Sequence, residues 1–506
     1  MSGDYVIGVD CSTTAAKAVV WDEIGTAVAE ARAAFDLSQP RPGWGEQDAA
    51  DWWVATATAV RRAAQSVVAS RIRAICITHQ RETFVCVDAA GRPLRNAMLW
   101  LDVRAAEEVE RYGTSHVHRV TGKPPNPTPA WYKLLWLARH EPETVRRIGR
   151  VADVHAYLVH RLTGRWATSW ASADPLGLVD MSTRDYDDEL LDAAGLHRAQ
   201  MCELQPPGSV LGSITDDVAG ELGLPKALPV VAGAGDGQAS QLGTGITAPG
   251  RASLNLGTGV VSGTYSEHYS HGVEYRTLFA AVPDGYTLET FIGGGTYNLN
   301  WFVDKFSGFD SRALQRDLGV IGEQLLEVAA AQLPPGADGL LALPYWTGSL
   351  TPYWDHNARG ALVGLTGGHG KAHVYRALLE GIAYEQRLLT DGAEPVLEAP
   401  VTALIALGGG SRSRVWCQIV ADVMRRRIDV VREPESTCLG AGMLAAAAAG
   451  VHDSITAAAK AMSGTAAHFE PDPQRAAVYD RLYEAYREIY PSLRPVFAKL
   501  AAASTR

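Results

Sequence analysis

The apolar and polar positions along the chain fall into short blocks that predict a repeated strand pattern. Tyr5-Val6-Ile7-Gly8-Val9-Asp10 reads as a buried strand, and Cys11-Ser12-Thr13-Thr14 as the polar turn after it. Ala18–Asp22 reads as the returning strand, and the turn Glu23–Thr26 leads into a third. This is a β-meander opening, unlike the strand-then-helix start of a dinucleotide-binding unit. The same signal returns near mid-chain, where Ala252–Leu256, the tight turn Gly257-Thr258-Gly259 and Val260–Tyr265 form a second strand–turn–strand unit. Two such units half a chain apart suggest an internal duplication, with one phosphate chain clamped between two domains.

Helical spacing appears between and after these units. The candidate helices are Asp51–Ala69, Asp153–Leu162, Ala372–Thr390 and Arg414–Met424, with a further helix from about Asp472 that has Pro473 near its start. Ile405-Ala406-Leu407 reads as a buried strand running into Gly408-Gly409-Gly410. A cluster of Gly, Thr and Pro at Gly243–Gly250 marks the expected domain boundary.

Composition narrows the classes. The chain has 506 residues, more than one ordinary core accommodates, so two large domains are expected. A net charge of −10 gives no nucleic-acid footprint, and Arg425-Arg426-Arg427 is too short to make a basic patch. Six scattered cysteines without CxxC spacing indicate reduced thiols rather than a disulfide framework or a zinc site. No signal peptide is visible and no run of about 18 apolar residues occurs, so no membrane association is expected and the expected compartment is the cytoplasm. His369 and His373 are four apart, but no Glu follows His369 in the HExxH manner, so they read as ordinary histidines. His116 and His118 read as solvated loop residues, and Trp52, Trp53, Trp131 and Trp136 as core or interface residues.

Candidate chemistry gathers in five segments. Val230–Gln238 is an apolar strand that delivers Asp236 into a Gly-rich turn, which suits an accessible general base and equally suits a helix cap. Asp10 can position Mg²⁺, and Ser12, Thr13, Thr14 and Lys17 can contact phosphate, although a plain hairpin turn gives the same pattern. Gly257-Thr258 and Gly408–Ser411 allow close backbone approach to phosphate or nucleotide, or simply turn the chain. Gln80-Arg81-Glu82 follows the strand Ala74–Ile77 and offers either polyol contacts or a surface ion pair.

Together these segments resemble the FGGY carbohydrate kinase family of the actin, Hsp70 and sugar-kinase superfamily. The resemblance rests on Asp10–Lys17, Pro42–Asp48, Trp100-Leu101-Asp102-Val103-Arg104, Gly235-Asp236, Leu256-Gly257-Thr258, and Gly408–Ser413 followed by Trp416, Gln418, Ala421 and Asp422. It implies an α/β fold of two ribonuclease-H-like domains with mixed sheets flanked by helices and a cleft between them. Residues 1–247 would bind the sugar, and residues 248–506 would bind ATP, with the last helix free to pack back on the first domain. Asp236 would be the catalytic base, and Gln80, Arg81 and Glu82 would hold the substrate. Thr13, Thr14, Lys17, Gly257, Thr258, Gly409, Gly410 and Arg414 would contact the nucleotide, with Mg²⁺ at Asp10. The implied reaction is ATP-dependent phosphorylation of a terminal hydroxyl on a small sugar or polyol. A ketopentose such as xylulose leads, with glycerol, a tetritol or a pentitol as alternatives, and a homodimer is compatible with it. Of another class would be a non-catalytic nucleotide-gated binding protein or sugar sensor of the same fold. Two departures stand out: Ser12 occupies a position where the family usually has Gly, and Arg81-Glu82 resembles glycerol kinases where xylulokinases tend to carry Met-His.

Overall fold

The computed structural model describes residues 3–306, 308 and 322–504. The first sheet begins with β1 (Tyr5–Cys11), β2 (Ala15–Trp21) and β3 (Ala27–Ala34), an antiparallel meander. Helix α1 (Ala49–Ala64) follows, capped by the Asp48 carboxylate, which accepts from the Ala50 N–H. Next come β4 (Ile72–His79), parallel to β1, and α2 (Val154–Thr163), capped by Asp153. Strands β5 (Val210–Ser213) and β6 (Pro229–Val231) complete the sheet in the order β5-β6-β4-β1-β2-β3. Its inner strands are near-continuous apolar runs because helices cover both faces.

The second half repeats this plan. After α3 (Asp236–Gly243), strands β7 (Arg251–Leu256), β8 (Val260–Ser266), β9 (Arg276–Phe279) and β10 (Tyr286–Ile292) pair antiparallel as β9-β10-β8-β7. Helix α4 (Lys371–Ala393) leads to β11 (Ala403–Leu407), parallel to β7. Helix α5 (Arg414–Met424) leads to β12 (Arg427–Val431), parallel to β11. Helix α6 (Ser436–Ala448) precedes β13 (Thr465–Phe469), the antiparallel edge strand, and α7 (Pro473–Ser504) ends the chain. Each sheet therefore has an antiparallel block, then two parallel strands and an antiparallel edge, with the difference that β8 pairs with β10 rather than with β9.

Helices α3 and α6 join the halves. Their backbones meet where only glycine fits: a Cβ on Gly243 would lie 1.9 Å from the Ser436 carbonyl oxygen, and one on Gly440 equally close to that of Ala239. Although it belongs to the second half of the chain, α6 lies on the first sheet, where Trp21 Nε1 donates to the Cys438 carbonyl at 3.1 Å. Helix α7 stays with the second domain: Tyr479 and Tyr486 donate to Glu380 and Glu385 of α4, so the allowance for packing back on the first domain is not used. The helix from Asp51 ends at Ala64, and a separate 3₁₀ turn covers Ala69–Arg71. His118 is buried on the helix Ser115–Thr121 beside the His271 ring rather than solvated. All six cysteines are buried and unpaired. Among the described residues no helix is long and apolar enough to cross a membrane.

Candidate active site

Asp236 is the first residue of α3, delivered by β6 through a Gly-rich turn. Its Oδ1 accepts from its neighbour's N–H, Gly237 N, at 2.7 Å and from Arg81 Nε at 2.8 Å, and 41% of the side chain remains exposed. The helix-cap reading is not met: Gly235 is the N-cap of α3, and Asp236, the first helical residue, makes no side-chain capping hydrogen bond. The guanidinium holds one side of the carboxylate, and the open side leaves the rest free to meet a ligand.

Arg81 opens a chain of alternating charges across the interdomain cleft. Its Nη1 donates to Glu289 Oε2 at 2.7 Å, Glu289 Oε1 accepts from Arg276 Nε at 2.6 Å, and Arg276 in turn donates to Glu82. Arg81 and Glu82 follow β4, whereas Arg276 and Glu289 face each other in register on β9 and β10. Burial pushes the Glu289 carboxyl up, but Arg276 and Arg81 overcome it and leave the group below its ordinary value. Burial also disfavours the Arg81 charge, and Glu289, Asp236 and Glu82 more than restore it. Glu82 has φ of +57°, a strained backbone for a side-chain-bearing residue, and this conformation sits at the pocket wall.

Two cavities meet at this chain. One, of about 180 Å³, is lined by Arg81, Glu82, Trp100, Thr128, Asp236 and Trp354 among others. The other, of about 160 Å³, is lined by Asp10, Asp236, Ser240, Ser253, Asn255 and Thr437 among others. Arg81, Asp236, Val261 and Glu289 border both. Asp10, at the end of β1, has a buried Oδ1 with no hydrogen-bond partner. Burial first, and then the charge of Asp236, push its carboxyl up to about 8. An orphaned, destabilised carboxylate beside a second one fits a divalent cation, which would relieve both.

The first polar turn is held from behind. Thr13 Oγ1 accepts from Trp100 Nε1 at 3.1 Å, Gln47 Nε2 donates to the Thr13 carbonyl, and the Ser12 hydroxyl turns back to the Ala15 carbonyl at 2.9 Å. Ser12 thus closes its own turn. Thr14 and Thr258 are exposed at the tips of their hairpins. A Cβ on Gly409 would face open space, whereas Gly410 packs on Trp416 and Leu256.

Three expected contacts are placed elsewhere. Gln80 is buried and donates to Gln47 Oε1 at 3.0 Å, because its side chain points under the turn rather than into the cavity. Lys17 lies 2.9 Å from both Glu30 and Glu435, tying β2 to the start of α6. Arg414 is exposed at the start of α5, with its guanidinium over the Phe469 ring. Conversely, the sequence reading missed Glu289 and Arg276, whose only signal is a single charge inside an apolar strand.

It also missed His155, a fully buried clamp on the turn that carries Asp236. Its Nε2 accepts from the Gly233 N–H at 3.1 Å, its Nδ1 faces Thr168 Oγ1 at 3.1 Å, and Ser169 Oγ donates to the Gly233 carbonyl. Accepting at Nε2 requires a neutral ring, and burial pulls the imidazole down to about 4. An unfolded histidine takes up a proton near 6.5, whereas the folded one does not until about 4. Stability conferred by the neutral ring is therefore full above pH 6.5 and lost as pH falls through this window. Urea midpoints measured at pH 7 and pH 5 should show a drop that is smaller in His155→Gln. An equal drop in both proteins would remove this role.

Duplicated sheets closing on a cleft, with one open carboxylate bordering two cavities, define the class: a two-domain α/β fold with its candidate site in the cleft. Residues 5–243 match the model of the N-terminal domain of the FGGY family of carbohydrate kinases, and residues 252–449 match that of its C-terminal domain. The chain is 32% identical to a xylulose kinase of Escherichia coli (strain K12), covering 97% of this chain and 100% of that protein. It is 28% identical to a gluconokinase of Bacillus subtilis (strain 168), covering 92% and 91% respectively. The crystal structure of xylulose kinase from Rhodospirillum rubrum superimposes with a TM-score of 0.90 at 30% identity, covering 98% of this chain and 100% of that one. The chain belongs to the FGGY family of carbohydrate kinases, enzymes that phosphorylate an alcohol group of a sugar.

Proposed function

We propose that this enzyme transfers the γ-phosphoryl group of ATP to a terminal hydroxyl of a small uncharged sugar or polyol, a ketopentose such as xylulose foremost. The observation that carries this reading is the place of Asp236 on the border of both cavities. A hydroxyl in the 180 Å³ cavity would meet the carboxylate on one side and the incoming phosphorus on the other. Asp236 accepts the proton as the oxygen attacks, and Arg81 holds the base in orientation. Trp100, Asn126, Thr128 and Glu82 wall the acceptor. Thr13, Thr14, Gly257 and Thr258 approach the phosphates, while Gly409 lies on the adenosine side. Mg²⁺ held at Asp10 would supply charge neutralisation on the phosphate oxygens. Residues 1–247 then form the sugar domain and 248–506 the nucleotide domain of a soluble cytoplasmic enzyme.

The charges argue for a neutral acceptor. Glu82, Asp236 and Glu289 outnumber Arg81 and Arg276, and both guanidiniums are already paired. An aldonic acid such as gluconate would bring its carboxylate into a cavity with no spare cation among the described residues that line it, and burying an unpaired charge is costly. ADP release should therefore be fastest with xylulose in a panel that also holds glycerol, tetritols, pentitols and gluconate. Gluconate as the best acceptor would overturn the charge argument. Release that no acceptor stimulates would favour a nucleotide-gated binding protein.

A further inference from the structure

The wall of the acceptor cavity formed by Lys123–Pro129 is built almost entirely from prolines and their neighbours: Pro124, Pro125, Pro127 and Pro129 alternate with Asn126 and Thr128. Each proline fixes its own φ and confines the residue before it to extended backbone, so the segment has little freedom. It also has few N–H groups, and its carbonyls need donors from elsewhere. Asn126 Nδ2 donates to the Pro124 carbonyl at 2.6 Å. Asn126 Oδ1 accepts from the Thr128 N–H at 2.9 Å and from the Thr128 hydroxyl at 2.6 Å. With its proton committed, Thr128 Oγ1 presents lone pairs to the cavity, where it can accept from a substrate hydroxyl.

The remaining donor is Lys133, one turn into the helix Ala130–His140 and fully buried. Its Nζ donates to the Pro127 carbonyl at 3.0 Å and to the Thr128 carbonyl at 2.6 Å. A buried ammonium near the positive end of a helix is expensive, and here it meets carbonyl oxygens rather than a carboxylate. Burial accordingly pulls the amine down to about 7 against the attraction of Asp102 and Glu82. The packing role of this side chain could be filled by an apolar residue of the same length, but the two carbonyl contacts could not.

We propose that Lys133 is a positioning residue for acceptor specificity: by pinning the Pro127 and Thr128 carbonyls it sets where the Thr128 hydroxyl stands, and thereby which acceptors fit beside Asp236. This rests on the reading of the 180 Å³ cavity as the acceptor site.

The test is Lys133→Met, which keeps the length and apolar volume of the stem. For the acceptor that wild type uses best, kcat/KM should fall on the order of 10–100-fold, chiefly through KM, because a displaced wall misplaces the hydroxyl. The ranking of acceptors in the panel should change, and the KM for ATP should stay within about twofold. Lys133→Gln, which keeps an N–H donor, should retain more of the wild-type ranking than Lys133→Met. Pro127→Gly loosens the same wall with the amine intact and should shift the ranking in the same direction, so the proposal stays testable if Lys133→Met does not fold. An unchanged ranking in Pro127→Gly and in whichever Lys133 variants fold would overturn it, as would a loss shared equally by every acceptor and by ATP. A different best acceptor in wild type would revise the substrate reading alone, since the comparison uses whichever acceptor that is.

Discussion

Asp236→Asn should lower kcat by on the order of 10²–10⁴-fold, the usual worth of a positioned general base. The substitution is nearly isosteric, and its side-chain oxygen can still accept from the Gly237 N–H and from Arg81 Nε, the two donors that Asp236 Oδ1 now meets. Neither the start of α3 nor the closure of the cleft depends on the lost charge, since Arg81 keeps Glu289 as a second partner. What disappears is the ability to take a proton from the attacking hydroxyl. The KM values for acceptor and nucleotide should therefore change far less than kcat, the pattern expected when an interaction is made only in the transition state. Turnover measured by ADP release at saturating acceptor and ATP decides the matter. Near-normal kcat would remove Asp236 from the base role and leave it as a helix-start residue that happens to border both cavities.

That residue was legible from sequence for a local reason. An apolar strand running into glycines with one carboxylate among them sets that carboxylate at the end of the strand with room around it, and the helix that follows starts there. The two meanders were legible for a similar reason: a run of alternating or continuous apolar residues with a polar turn is set by the backbone itself. Helix α5 was placed at Arg414–Met424 at both ends, because Ser413 caps it and its buried face repeats with helical spacing. The side chains that the structure does not bring to the cavities differ at another level. Gln80 and Lys17 sit next to the expected loops, but their side chains take partners supplied by distant segments, Gln47 for one and Glu435 for the other. Which of several reachable partners a long polar side chain takes is decided by tertiary packing. Glu435 lies 418 residues along the chain from Lys17, and it reaches that side chain because α6 crosses onto the first sheet. Arg276 and Glu289 were invisible for the complementary reason. A lone charge in Arg276–Phe279 or Tyr286–Ile292 looks like an interruption of a strand until the register of β9 and β10 sets the two residues opposite each other.

Glu289 carries the second large expected effect. It is 2% exposed, accepts from two guanidiniums at 2.6–2.7 Å, and lies at the centre of the charge chain that joins the domains. Glu289→Ala removes the shared acceptor and leaves Arg81 and Arg276 buried with one carboxylate each, Asp236 and Glu82. Breaking a buried ion pair by deleting one partner costs about 3–5 kcal/mol, since the remaining charge stays desolvated. Glu289→Gln keeps the shape and one acceptor, so its loss should be smaller. Removing the charges together, as in Glu82→Gln with Arg276→Met and Glu289→Leu, should cost less than Glu289→Ala alone, because Arg81 keeps Asp236 and no buried charge loses its last partner. The effect on catalysis follows from the same geometry. Without Glu289, Arg81 is drawn wholly onto Asp236, which ties up the carboxylate and narrows the cavity that both line. Glu289→Ala should therefore raise the acceptor KM and lower kcat together, whereas Asp236→Asn lowers kcat alone. Denaturant midpoints for the three variants, read beside their kinetics, separate the two contributions. If Glu289→Ala unfolds at the wild-type midpoint, the alternating chain is not what holds the cleft together, and Arg81 is positioned by Asp236 alone.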